Sequence, residues 1–263
     1  MLIVGGFLTE PVNYRRVRER LLVRGAGAVT IAGIHIPDWL GAGVVGFGPI
    51  LARTGREIRR AWLAAGRRPI IVVGHSGGGI LARLAMSDTP LNGHRGGMAE
   101  AVGCLVTLGT PHELARARVR VRHRGIEAAQ FLDRTTPGAW HQPATAYLTV
   151  ASDFIKPRDA LPGPRWDRFR ARVFWSLVGP IAPAGSDGIV SVSAAHLDGA
   201  RQLTFSDVRH GHIGGPWYGD PAVIDRWWPH ALELWGGAVE ARATAAASKP
   251  RDGEGPAVYP FGP

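Results

Sequence analysis

The 263-residue chain is 45% hydrophobic and 20% charged, an ordinary globular balance with enough length for one substantial domain around a large core. No apolar run approaches the roughly 18 residues that cross a bilayer, and the opening MLIVGGFLTEPVNYRRVRER has neither a basic leader nor a long apolar region, so neither a transmembrane segment nor a secretory signal is expected. A formal net charge of +10, mostly from arginine, favours anionic surfaces; peripheral contact with them fits this charge, but no zinc spacing, helix-turn-helix pattern or aromatic RNA-binding box accompanies it and no nucleic-acid partner is expected.

Short apolar strands alternate with amphipathic helices along the chain. Leu2 to Val4 reads as a strand ending in the tight Gly5-Gly6 turn, and Tyr14, Val17 and Leu21 follow at helical spacing. Ala28 to Ala32 is a second strand. Residues 38–50 read as glycine-rich loop, after which Leu51, Ile58, Trp62 and Ala65 give another helical stripe. Ile70 to Val73 and Val102 to Leu108 are apolar runs suited to strands buried on both faces, with a helix between them carrying Ile80, Leu81, Leu84 and Ala85. Such alternation implies right-handed crossovers and a mostly parallel sheet with helices on both faces, an α/β fold.

The pattern breaks from Glu113 to about Ala146, where RARVRVRHR sets five arginines on alternate positions. As a strand this segment has one basic face, and it serves as a lid, an anion-facing edge or a solvated excursion. Tyr147 to Ala151 resumes the strands, residues 153–165 are proline-rich loop, and Trp166 to Leu177 reads as a helix across the site. Gln202 to Val208 is the last strand. Asp220-Pro221 offers an N-cap and a first-turn proline to a closing helix lined by Val223, Trp227 and Leu234, which Pro229 is expected to kink. One domain is expected over residues 1–238, with insertions at about 113–146 and 152–180. Beyond about Ala241 the composition turns to Ala, Ser, Lys, Pro and Gly, so 239–263 reads as a flexible tail. The single cysteine, Cys104, cannot form an internal disulfide and reads as a core thiol, in keeping with a reducing, cytoplasmic setting. No feature of the sequence speaks to oligomeric state.

The chemistry concentrates in IIVVGHSGGGILARLAM, residues 70–86. A serine hydroxyl is a weak nucleophile until a base and oxyanion donors are held against it, and a sharp strand-turn-helix elbow supplies that arrangement. The elbow strains the serine backbone and admits only small neighbours; Gly74 and Gly78 meet that demand around Ser76. A phosphate cradle is the rival for a glycine-rich turn, but no G-x-G-x-x-G fingerprint fits and the P-loop lysine is absent. This elbow resembles that of the α/β-hydrolases, which implies an acid and then a histidine in loops after late strands. Asp187 in AGSDGIV fits the acid, with Asp153 its competitor, and the loop FSDVRHGHIGG offers His210 and His212 as base. The oxyanion donors expected are the amides of Gly77, next to the serine, and of Phe7, after the glycines of VGGFL. His75 reads as a supporting or packing residue of the elbow.

These motifs resemble those of the α/β-hydrolase superfamily, and more narrowly a group of lipase/esterase-like serine hydrolases known mainly as predicted proteins of plants and photosynthetic bacteria. The matches run through GGFLTE, GHSGGGILAR, LGTPH, PGAWH, SDGIV, AHLDGA and PWYGDPAV, nearly the whole chain to about residue 235. The resemblance implies an α/β-hydrolase fold with a reduced N-terminus and a lid-like insertion, Ser76 as nucleophile, Asp187 as acid, and His210, which precedes the PWYG segment, as base. The group commonly has alanine at the position of Gly77 and glycine at that of Ser186. The expected function is hydrolysis of carboxylic esters, of small molecules or lipids such as acylglycerols, without cofactor or metal. Transfer of the acyl group to an alcohol or thiol by the same triad is the alternative enzyme reading, and a non-catalytic lipid or ligand binder of the same fold is the alternative outside catalysis.

Overall fold

The computed structural model describes residues 1–113, 124–155, 185–212 and 214–248. Six strands form one sheet: β1 (Leu2–Val4), β2 (Thr30–Ile31), β3 (Ile70–His75), β4 (Val102–Leu108), β5 (Ala146–Ser152) and β6 (Arg201–Phe205), in the order β2-β1-β3-β4-β5-β6. Every neighbouring pair is parallel. Because the chain leaves β1 towards β2 on one side and leaves β3 towards β4 on the other, a crevice opens beyond the carboxyl ends of β1 and β3, where ligand sites of such sheets lie.

Alternation of side chains across the pleat divides the core in two. Leu2, Val4, Ile70, Val72 and Leu105 face one layer, built on α2 (Ile36–Val45), α3 (Gly48–Ala64), α4 (Gly77–Met86) and α5 (Arg124–Thr135). Ile3, Ile71, Val73, Cys104, Val106, Leu148 and Val150 face the other, built on α1 (Arg15–Val23) and α7 (Pro221–Ala247). Both faces of the sheet are therefore covered, as the continuous apolar runs predict. A short helix, α6 (Val192–Ala195), precedes β6. Helix α4 is buried almost all round, and its Arg83 is accommodated by donating to the Thr136 carbonyl at 2.7 Å and by contact with His112 Nδ1 at 3.3 Å.

Several boundaries differ from the sequence reading. Residues 38–50 are not loop: α2 occupies most of them, started by a reciprocal cap between His35 and Asp38 with proline in its first turn. Its buried residues are Trp39 and Ala42, three apart, so Gly41 and Gly43 lie off the packed stripe and disguise the period. Part of the 113–146 excursion is core as well, since Ala128, Ala129 and Leu132 of α5 are fully packed in the α4 layer. The basic run lies outside the described residues up to His123, as does the helix predicted over Trp166 to Leu177.

Helix α7 is a single helix through Pro229 and continues to Ala247, past the composition change near Ala241. Arg242 accounts for the extension: its guanidinium donates to the carbonyls of Ala99, Glu100, Val102 and Ala144 and so fastens the helix end to the start of β4. Asp220 does stand at the N-cap, but its carboxylate accepts from the Trp217 N–H at 3.0 Å and makes no bond into the helix. In the same layer, Arg20 of α1 and Arg24, its C-cap, both bind the Asp225 carboxylate.

Candidate active site

Ser76 stands between the last residue of β3 and the first of α4 with φ 52° and ψ −128°. That is a region side chains rarely adopt, and holding one there costs roughly 1–3 kcal/mol. The surroundings enforce it. The Ser76 N–H donates to the Leu108 carbonyl at 2.9 Å, and the glycines allow a packing that no other residue would. A Cβ on Gly74 would stand 2.5 Å from the Gly79 Cα, and one on Gly78 would collide with the Val4 carbonyl.

Asp187 and His210, the expected acid and base, lie in loops after β5 and β6, at the same edge of the sheet. Ser76 Oγ lies 2.9 Å from His210 Nε2, and His210 Nδ1 lies 2.8 Å from Asp187 Oδ2. All three side chains are buried. The two loops are also joined through their backbones, the His210 N–H donating to the Asp187 carbonyl at 3.0 Å. The other carboxylate oxygen, Oδ1, accepts the N–H groups of Ile189 at 2.9 Å and Val190 at 2.7 Å. Burial alone would raise the Asp187 carboxyl; attraction to His210, the hydrogen bond between them and the two amides outweigh it and hold the carboxyl below its ordinary value. An ionised acid on Nδ1 leaves Nε2 facing the serine as proton acceptor.

Of the alternatives, His212 is exposed and packs edge-on to Trp217 at 6.1 Å. Asp153 ends the β5 segment, its N–H donating to the Phe205 carbonyl, and Asp187 is the carboxylate on the imidazole. The Phe7 amide nitrogen lies 3.5 Å from where a Gly77 Cβ would stand, so the two residues expected to supply oxyanion donors are neighbours. The same hypothetical Cβ would stand 3.0 Å from the Trp39 ring, so a side chain at Gly77 would require the indole to give by a few tenths of an ångström. Trp39 in turn meets Phe7 edge-on at 5.6 Å.

Four supporting residues escaped the sequence reading in whole or part. Tyr218 donates its hydroxyl to Asp187 Oδ2 at 3.0 Å from the PWYG segment, and burial raises its own pKa well above the ordinary phenol value. Gly109 of LGTPH, at φ +54°, lies directly against the Asp187–His210 pair. Tyr14 appeared as a core residue of the first helix; its hydroxyl accepts the Gly6 N–H at 2.8 Å and meets His75 Nδ1 at 2.8 Å. His75, expected to support the elbow, also reaches the His210 carbonyl with Nε2 at 2.9 Å. Among the described residues no group of three His, Cys, Asp or Glu side chains could hold a metal ion, and no helix is long and apolar enough to cross a membrane.

Comparison with known proteins places this geometry in a familiar fold. The model of the PGAP1-like alpha/beta domain matches residues 57–128, which include the Ser76 elbow and β4. No curated protein matches the sequence. Among solved structures, phospholipase PlaB from Legionella pneumophila, in complex with thio-NAD, superposes with a TM-score of 0.56 at 12% identity, covering 92% of this chain and 61% of PlaB. The chain thus spans about three fifths of that enzyme's length. The esterase domain of a Rhodothermus marinus protein gives 0.45 at 16% identity, covering 89% and 84% of the two chains, and Aspergillus fumigatus lipase B gives 0.46 at 15%, covering 95% and 63%. The chain has the α/β-hydrolase fold.

Proposed function

We propose that this chain is a serine hydrolase of carboxylic esters, with Ser76 as nucleophile, His210 as general base and acid, and Asp187 as the carboxylate that orients and charges the imidazole. The observation that carries the reading is the unbroken line from Ser76 Oγ through His210 to Asp187 Oδ2, at 2.9 and 2.8 Å, built on a strained serine. As Oγ attacks the ester carbonyl, its proton passes to His210 Nε2 and the carbonyl oxygen takes up negative charge. The Phe7 and Gly77 amides are the donors assigned to that oxyanion. Collapse expels the alcohol, which leaves with the proton from His210, and the acyl group remains on Ser76. Water then gives a proton to His210 and attacks the acyl-enzyme, and as the bond to Oγ breaks His210 returns that proton to Ser76 and the acid is released.

Fold likeness to a phospholipase supports lipid esters within the proposed substrate class. So does the apolar wall beside the nucleophile, where Trp39 touches Gly77 and the partly exposed Phe7 packs on Trp39. The test is turnover of p-nitrophenyl esters of short and long acyl chains by the purified protein, with Ser76→Ala as the comparison. A rate fall of at least about 10³-fold in Ser76→Ala with the fold retained is expected; equal rates would refute the assignment.

A further inference from the structure

We propose that Tyr14 and His75 form a strut that fixes the oxyanion loop after β1 relative to the imidazole of His210, and that both are positioning residues. The inference rests on the hydrolase reading of the site.

The direction of every hydrogen bond in the strut follows from one constraint. His75 Nε2 is 2.9 Å from the carbonyl oxygen of His210, and a carbonyl can only accept, so Nε2 carries the proton. In a neutral ring Nδ1 is then a lone pair, and the Tyr14 hydroxyl 2.8 Å away must donate to it. Tyr14 has no second proton, so its oxygen accepts the Gly6 N–H at 2.8 Å. Thr9 uses its own hydroxyl proton on the Gly6 carbonyl at 2.8 Å and stands a longer 3.3 Å from the Tyr14 oxygen. The chain reads Gly6 N–H to Tyr14 O–H to His75 N–H to His210 C=O, each donor polarised by the next. Burial, and then repulsion from His210, lower the His75 pKa to about 3, which keeps the ring in the one protonation state the chain needs.

The two ends of this chain are what matter. Gly6 precedes Phe7, whose amide is assigned to the oxyanion, and it is pressed so closely on the elbow that a Cβ there would stand 2.8 Å from the Ser76 Cβ. His210 carries the proton-transferring ring. Two loops from opposite sides of the sheet are thereby referenced to the residue next to the nucleophile. Aromatic walls of Trp217 at 5.5 Å and Tyr218 at 6.3 Å hold the His75 ring in place. Reaction geometry tolerates little error: a displacement near 1 Å costs on the order of 10²-fold in rate.

The experiment compares wild type, Tyr14→Phe, His75→Asn and His75→Gln in steady-state hydrolysis of p-nitrophenyl butyrate, with thermal midpoints measured in parallel and Ser76→Ala as the zero. Glutamine can present an amide N–H near the Nε2 position; asparagine is too short. We expect Tyr14→Phe and His75→Asn to lose about 10- to 100-fold in kcat with KM within about twofold, and His75→Gln to recover most of the loss. Imidazole ¹⁵N shifts of the wild type should show His75 protonated at Nε2 and bare at Nδ1. Losses that follow the thermal midpoint, glutamine no better than asparagine, kcat within twofold of wild type in both disruptive variants, or the opposite tautomer would each overturn the strut. If the wild type neither hydrolyses the ester nor reacts with a fluorophosphonate, the hydrolase reading fails and takes the strut with it. An active wild type beside equally active variants sinks the strut alone.

Discussion

Gly109 lies so close beneath Asp187 that a Cβ in place of its hydrogen would stand 2.6 Å from Oδ2, and 3.1 Å from His210 Nδ1. At φ +54° the residue is also in the left-handed region. Gly109→Ala is therefore expected to push the carboxylate off the imidazole. A fall in kcat of about 10²-fold follows from a shift near 1 Å, with a stability loss of roughly 1–3 kcal/mol from the strained backbone. Ester kinetics beside chemical denaturation check both numbers, and a variant with unchanged kcat would show that the site has room the structure denies it.

The acid assignment has its own discriminating pair. Asp187→Asn keeps the shape but offers the wrong hydrogen-bond pattern to the histidine, and kcat should fall by roughly 10³- to 10⁴-fold. Asp153→Asn, just after β5, should change it by less than about tenfold, because the carboxylate on the imidazole is that of Asp187. Reversal of that order would move the acid to Asp153.

How much of this was legible beforehand follows from what a sequence can carry. The elbow was legible because strain and close packing force glycine at fixed offsets from Ser76, and the sheet because strands buried on both faces are apolar without interruption. The order of acid and histidine comes from the resemblance to α/β-hydrolases, which left Asp187 and His210 beside their competitors Asp153 and His212; in the structure Asp187 and His210 are the pair that meet, at 2.8 Å. Helix α2 was hidden by Gly41 and Gly43, whose low propensity outweighs in one dimension a cap and a two-residue buried stripe. Tyr14 meets His75 across 61 residues of chain and Tyr218 meets Asp187 across 31, and nothing local distinguishes a tyrosine that packs from one that also donates.

The end of α7 is held by side-chain to backbone bonds that composition does not report. Arg242→Ala removes donors from four carbonyls around the start of β4 and is expected to destabilise the fold by about 1–3 kcal/mol, the range for losing hydrogen bonds made by a charged group. Urea denaturation would measure it. No change in stability would mean that residues beyond Ala241 do behave as a tail.

His75 predicts a pH dependence of stability whose sign is fixed. Its pKa is about 3 folded against 6.5 for the ordinary imidazole. Above 6.5 both states are neutral there and the residue contributes no pH dependence; between about 6.5 and 3 the unfolded chain binds a proton that the folded chain refuses, so stability falls as pH falls. One such group contributes a slope of up to roughly 1.4 kcal/mol per pH unit. His112, buried and likewise lowered by desolvation and then by Arg83, adds in the same direction. Unfolding free energies of wild type and His75→Gln should diverge in slope between pH 7 and pH 5, the difference growing towards about one proton near pH 5, and equal slopes would contradict a neutral, buried His75.

The central claim is that Ser76 is the activated nucleophile, and covalent labelling reads it most directly. Wild-type protein treated with a fluorophosphonate and analysed by intact mass and peptide mapping should carry one phosphonyl group on Ser76, with labelling abolished in Ser76→Ala and slowed by orders of magnitude in His210→Ala. A wild type that remains unmodified, or a Ser76→Ala variant labelled as readily as the wild type, would contradict the account.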